Sequence, residues 1–224
     1  MMNLQKKIKE IKTNFRLSMN GEASRSMREK GLVYKMNFGV EIPRLKMMAS
    51  EMGKDHELAQ ALWKEDVREC KILATMIQPV DSFYPEIADI WVDDIHTMEM
   101  AEQVCMNLFQ YVPYASEKAF QWIAGEAEFV QVCGFLLLAR IFMKGAELNE
   151  RSENEYVDQL AVSLSQNNVR VKQAALVSAK KYVAHDTLRR AKKILDSIAS
   201  FKHSEDSDKK AIYIEIKEET EDFV

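Results

Sequence analysis

The chain has 224 residues, with 31 Lys+Arg against 35 Asp+Glu, and its formal charge of −4 neither requires nor excludes a polyanionic partner. Seven Gly and four Pro leave little material for tight turns, which argues against many short strands. At 47% apolar and 29% charged, the chain can bury a core, so one domain or one repeat array is expected rather than disorder.

Apolar residues recur at spacings of three and four along most of the length, the pattern of helices with one buried face. About twelve helices are expected. The first two cover 3–19 and 22–35, separated at Gly21. A loop, Phe38-Gly39-Val40-Glu41, leads into Ile42-Pro43, where the proline suits the first turn of a helix running to about Met52. Helices over 56–63 and 66–77 follow, the second with Asp66 as its expected N-cap and Glu69 three residues on; Pro79 stops it. The remainder are expected over 85–94, 97–109, 116–124, 126–144, 153–165, 168–184 and 187–200, with Thr97 and Ser116 placed to cap. Linkers this short make consecutive helices antiparallel neighbours.

The second helices of successive pairs look alike: 67–74, 98–105, 130–137 and 169–176 begin about 31, 32 and 39 residues apart. That period predicts an all-α, HEAT-like solenoid of antiparallel helix pairs over 1–200, with a non-repeating bundle as the alternative. Residues 201–224 form a polar, acidic C-terminal tail. Its alternation of Ile212, Ile214 and Ile216 with polar residues reads as a short strand or a mobile tail, or as a partner-docking segment.

Cys70, Cys105 and Cys133 lie in apolar periodic segments and read as core thiols of a reducing compartment. No CxxC occurs, and His56, His96, His185 and His203 form no pair at ligand spacing, so neither a metal nor a cofactor is expected. The least charged stretch, 129–139, is too short to span a bilayer, and a soluble, cytoplasmic chain with no membrane partner is the expectation.

The small total charge conceals segregation. Residues 1–48 carry +7, 49–80 −2, 81–160 −11, 161–200 +6 and 201–224 −4. If both basic ends face one groove, Arg25, Arg28, Lys35, Arg44, Lys172, Lys180, Lys181, Arg189, Arg190, Lys192 and Lys193, with Arg68, flank a phosphate backbone, and binding becomes salt-dependent. The plain alternative is a set of solvated helix faces. Carboxylates of the acidic middle would repel phosphate.

The segment Leu62-Trp63-Lys64-Glu65-Asp66-Val67-Arg68-Glu69-Cys70-Lys71-Ile72-Leu73-Ala74 resembles the DNA alkylation repair proteins of the AlkD type, HEAT-like DNA glycosylases. Phe38-Gly39-Val40-Glu41-Ile42-Pro43-Arg44 is similar to that family's aromatic-x-Gly-Ile-x-x-Pro-x-Arg pattern, and the helix-pair layout extends the likeness to about Ser200. The resemblance implies hydrolysis of the N-glycosidic bond of an N3- or N7-alkylated purine in duplex DNA. The alkylated base is a cationic leaving group, so such a site need only stabilise positive charge developing on the sugar.

The family uses a Trp and, four residues later, an Asp, followed by an Arg and a second Trp on later helices. Aligned here are Met98, Glu102, Val132 and Val177, so three of four side chains change class. Glu102 keeps a carboxylate and is the candidate catalytic residue, or else an ordinary member of an acidic helix. Trp63, Trp91 and Trp122 read as packing residues of first helices. No nucleophile elbow, Gly-rich phosphate loop or HExxH occurs. The expectation is a duplex-DNA-associated repair-type protein with an eroded glycosylase site. The alternatives are a scaffold binding a protein partner on its concave face, and an active glycosylase using Glu102.

Overall fold

The computed structural model describes residues 4–184 and 187–221; His185 and the last acidic residue of the C-terminal run, Asp222, lie outside them. Thirteen α-helices and three 3-10 turns occur among the described residues, with no strand and one isolated parallel bridge, Met36 to Val67. The chain divides into two compact units, Met1–Ala88 and Asp89–Val224.

The first unit holds α1 (Leu4–Leu17), α2 (Gly21–Glu29), α3 (Ile42–Met52), α4 (His56–Trp63) and α5 (Arg68–Ile77). Helix α1 buries Ile8, Ile11 and Phe15, spaced by three and four as an amphipathic helix requires. It is tied to α4 and the residues after it by Lys7 on Asp55 at 3.0 Å and Lys12 on Glu65 at 2.7 Å. Asp55 also caps α4, accepting from the Leu58 N–H.

Two expectations fail here for one reason. Helix α2 ends at Glu29 rather than 35, turning through Gly31 at φ 85°, and α5 starts at Arg68 with Val67, not Asp66, at its N-cap. The segments 32–41 and 65–67 are held out of helix by backbone pairing: Met36 N–H donates to the Asp66 carbonyl and Arg68 N–H to the Met36 carbonyl.

Behind that bridge lies a buried ion pair. Glu69 accepts the Phe38 and Val40 N–H groups at 3.2 Å each and the Arg68 guanidinium at 3.0 Å, while Arg68 also donates to the Val40 carbonyl. Both side chains are enclosed. Arg68 is therefore not available to a phosphate, contrary to the sequence expectation. Gly39 takes φ 70° in this loop, and a Cβ there would stand 2.2 Å from the Asn20 carbonyl, so the position has room only for hydrogen.

The second unit holds most of α6 (Pro85–Asp93), then α7 (Met98–Asn107), α8 (Ala115–Ile123), α9 (Glu128–Met143), α10 (Glu150–Ser165), α11 (Val169–Val183), α12 (Thr187–Ser197) and α13 (Ser207–Glu221). Helix α9 packs on α7, α8 and α11, and α11 packs in turn on α10, α12 and α13. A Cβ at Gly134 would lie 2.8 Å from the Ile123 nitrogen, so α8 and α9 meet backbone to backbone. Thr97 caps α7 as expected, through the Met100 N–H. Ser116 does not cap: α8 opens at Ala115 without a side-chain cap. Asn149 caps α10 and starts it three residues earlier than expected. Trp63, Trp91 and Trp122 are all buried, in α4, α6 and α8. The Trp122 indole donates to Asp89, which also receives Lys118.

The alternating isoleucines after Ser200 are helical. Ile212 and Ile216, four apart, are buried where α13 meets α11, α12 and the turn Ala199–His203, while Ile214 stays exposed. A lone strand has nothing to pair with, whereas spacing of four gives this segment one apolar face. All three cysteines are buried and none forms a disulfide, and burial raises the Cys70 thiol to about 12. Among the described residues no helix is long and apolar enough to cross a membrane.

Replacing the buried carboxylate by Glu69→Ala leaves two loop N–H groups without their acceptor and the buried Arg68 charge without its counter-ion. It should cost roughly 3–5 kcal/mol in urea denaturation, the usual penalty for breaking a buried pair; a loss below 1 kcal/mol would show that the clasp does not hold the unit together.

Candidate functional site

Three helices of the second unit, α7, α9 and α11, line a cleft of about 370 Å³. Its walls are Glu102 and Met106 from α7, Leu136, Arg140 and Met143 from α9, and Val177 and Lys181 from α11, with Gln103, Cys105 and Ala139 completing it. Each set follows helical spacing of three or four, which puts it on one face of its helix. Glu102 is exposed as a residue, yet its carboxyl is partly shielded. Burial raises its pKa, the nearby Glu99 raises it further, and Arg140 opposes both.

Of the four aligned positions, Glu102 and Val177 meet in this cleft, whereas Met98, half-buried at the start of α7, and Val132 do not line it. Val132 is wholly enclosed in the core. The cation on this face of α9 is Arg140, two turns further on. Sequence reading missed it because α9 is apolar nearly all round and its register is poorly marked. The available signal was that Arg140 is the sole charge in 129–143 and sits at i+4 from Leu136.

Six of the twelve expected phosphate-binding cations, Arg68, Lys172, Lys180, Arg189, Arg190 and Lys193, are engaged by contacts between elements of the protein. The densest run, 189–193, surrounds Glu153 of α10. Arg189 bonds it at 2.9 Å and Lys193 at 2.6 Å, and the Tyr182 hydroxyl donates to the same carboxylate. Arg190 is buried, 4.6 Å above the Tyr182 ring and donating to the Tyr182 carbonyl, so it is a packing residue rather than a phosphate ligand. On α11, Lys172 pairs with Asp208 at 3.7 Å, and Lys180 with Glu215 and Glu219 of α13. Lys181 and Lys192 are exposed and outside these pairs. In the first unit Arg25 forms an exposed pair with Glu29, Arg28 bonds Ser24, Lys35 is exposed and Arg44 half-exposed. No cluster of three metal-ligating side chains occurs among the described residues.

The match to known proteins is decided by a family described as DNA alkylation repair enzyme, whose model fits residues 11–174. The chain belongs to that family. A solved structure also superposes with a TM-score of 0.76 over 94% of each chain at 15% identity. It is described as a new family of proteins related to the HEAT-like repeat DNA glycosylases with affinity for branched DNA structures. The shared fold is thus the HEAT-like helical repeat. No curated protein matches this chain. In this DNA alkylation repair family member, Val177, Lys181 and all of α12 and α13 follow the matched span.

Burial alone would raise the pKa of Glu153, but the Lys193, Tyr182 and Arg189 hydrogen bonds and the Lys193 charge outweigh it and hold the group at about 2 against an ordinary 4.5. A depressed carboxylate contributes stability above its unfolded pKa and loses it as pH falls through the folded value. The contribution of Glu153 should therefore be complete above pH 4.5 and disappear toward pH 2. Thermal midpoints of wild type and Glu153→Gln should converge across that window; a difference independent of pH would remove the linkage.

Proposed function

We propose that this protein is a DNA-associated member of the alkylation repair family that holds duplex DNA at the α7–α9–α11 cleft and hydrolyses N-glycosidic bonds weakly or not at all. The observation that carries the reading is the grouping of Arg140 and Lys181 around Glu102. Two cations that form no ion pair among the described residues suit a phosphate, while a carboxyl beside them addresses the adjoining sugar. The described affinity of the structural neighbour for branched DNA supports a DNA partner.

Three features argue for weak chemistry. The aromatic faces of the family site are absent from this cleft, whose counterparts are the thioethers of Met106 and Met143 and the aliphatic Val177. Methionine is polarizable but has no quadrupole to attract a developing cation. Burial and the neighbouring Glu99 raise the pKa of Glu102, so its charged form is held less favourably here than a solvated carboxylate. Glutamate is also one methylene longer than aspartate, and a displacement of about 1 Å can cost on the order of a hundredfold in rate.

A protein partner is the second reading, favoured by the net charge of −7 on the second unit and by the internal pairing of its lysines. Titration of a labelled duplex against salt separates the two. Arg140→Gln should weaken binding and flatten the log–log salt slope by about 0.9, the value of one phosphate contact in duplex DNA. No duplex binding by wild type at low salt would sink the DNA reading in favour of the protein partner. In the same preparation, release of 7-methylguanine from alkylated DNA should stay at or only slightly above the spontaneous rate and be little changed by Glu102→Gln. Release well above it that is lost in Glu102→Gln would establish an active glycosylase instead.

A further inference from the structure

Helix α13, which lies beyond the matched family span, is divided by charge. Asp208, Glu215 and Glu219 turn toward α11, where they neutralise Lys172 and Lys180. On another side, Lys210, Tyr213 and Lys217 fall at i, i+3 and i+7, so the tyrosine stands between two ammonium groups whose Cα atoms are roughly 10 Å apart along the axis. Lys202 joins them from the turn Ala199–His203, and with Ile214 these residues line a cleft of about 270 Å³ whose lining, among the described residues, includes no carboxylate. All three lysines are exposed, Tyr213 is half-exposed and Ile214 is 51% exposed. Three acids of the segment, Asp208, Glu215 and Glu219, thus serve α11, and the exposed Glu205, Asp206 and Glu218 are not among the residues lining this cationic, aromatic cleft.

We propose that this second cleft binds single-stranded nucleic acid, with an unpaired base stacked on Tyr213 and the adjoining phosphates on Lys202 and Lys210. A ring flanked by positive charge is the arrangement that holds single strands without reading their sequence, because every base offers a π-face and every nucleotide a phosphate. An exposed isoleucine beside the ring extends the apolar platform. Duplex DNA keeps its bases stacked inside, so Tyr213 discriminates for unpaired nucleotides. The choice of nucleic acid among polyanions rests on the reading of this chain as DNA-associated. The surface itself is separate from the Arg140 cleft.

The test is fluorescence anisotropy on the full chain with a labelled oligo-dT strand and a labelled duplex of equal length. Tyr213→Ala should weaken oligo-dT binding at least fivefold, with Tyr213→Phe retaining it. The double variant K202Q/K210Q, exposed and away from the packed face, should also weaken it at least fivefold and flatten its log–log salt slope by about 1.4, or about 0.7 per phosphate. Arg140→Gln should leave oligo-dT binding unchanged. Oligo-dT binding indifferent to both C-terminal variants would overturn this proposal while leaving the duplex reading standing. Absent duplex binding with Tyr213-dependent oligo-dT binding would overturn only the duplex reading. Binding of phosphatidylserine vesicles that is lost in K202Q/K210Q, without any oligo-dT binding, would assign the surface to a lipid headgroup and overturn the proposal.

Discussion

Removing a charge from water costs several kcal/mol unless a partner and hydrogen bonds compensate, and this constraint decides where many of the cations of the chain reside. Arg68 is held by Glu69, Arg189 and Lys193 by Glu153, and Lys172 and Lys180 by the acids of α13. Each arrangement connects elements distant in sequence. Arg140 and Lys181, which form no ion pair among the described residues, share one cleft with Glu102.

The two segments that carry the family resemblance prove to be halves of one device. Leu62–Ala74 supplies Arg68 and Glu69; Phe38–Arg44 supplies the loop N–H and carbonyl groups they bind. The most family-like part of the sequence is therefore a structural clasp in the first unit, and the residues aligned with family chemistry lie in the second. A strong match in the clasp identifies the fold and says little about catalysis.

Helical periodicity made the architecture legible: α3 and α4 begin and end where spacing of three and four predicts, and Thr97 caps α7. The failures have local physical causes. The α2 and α5 boundaries are displaced by the Met36–Val67 bridge, a long-range pairing with no local signature. The segment 212–216 carries apolar residues at every second position, a pattern that suits a strand, but only Ile212 and Ile216 find a packing surface. Arg140 was hidden by an almost uniformly apolar α9. The cationic run 189–193 was conspicuous in sequence, yet its role depends on Glu153, about forty residues earlier, whose approach no spacing reveals.

Helix α13 has a consequence for the flank of α11 that it covers. Stacked helix pairs leave one flank of the final pair open, and another pair, or another molecule, can add there. On α11 the flank bearing Val177 and Lys181 faces α9, while that bearing Lys172 and Leu176 is covered by α13. Because α13 lies on that flank and offers acids that match Lys172 and Lys180, it occupies the surface on which a further pair would stack, and its fit there is encoded in charge as well as in the burial of Ile212 and Ile216.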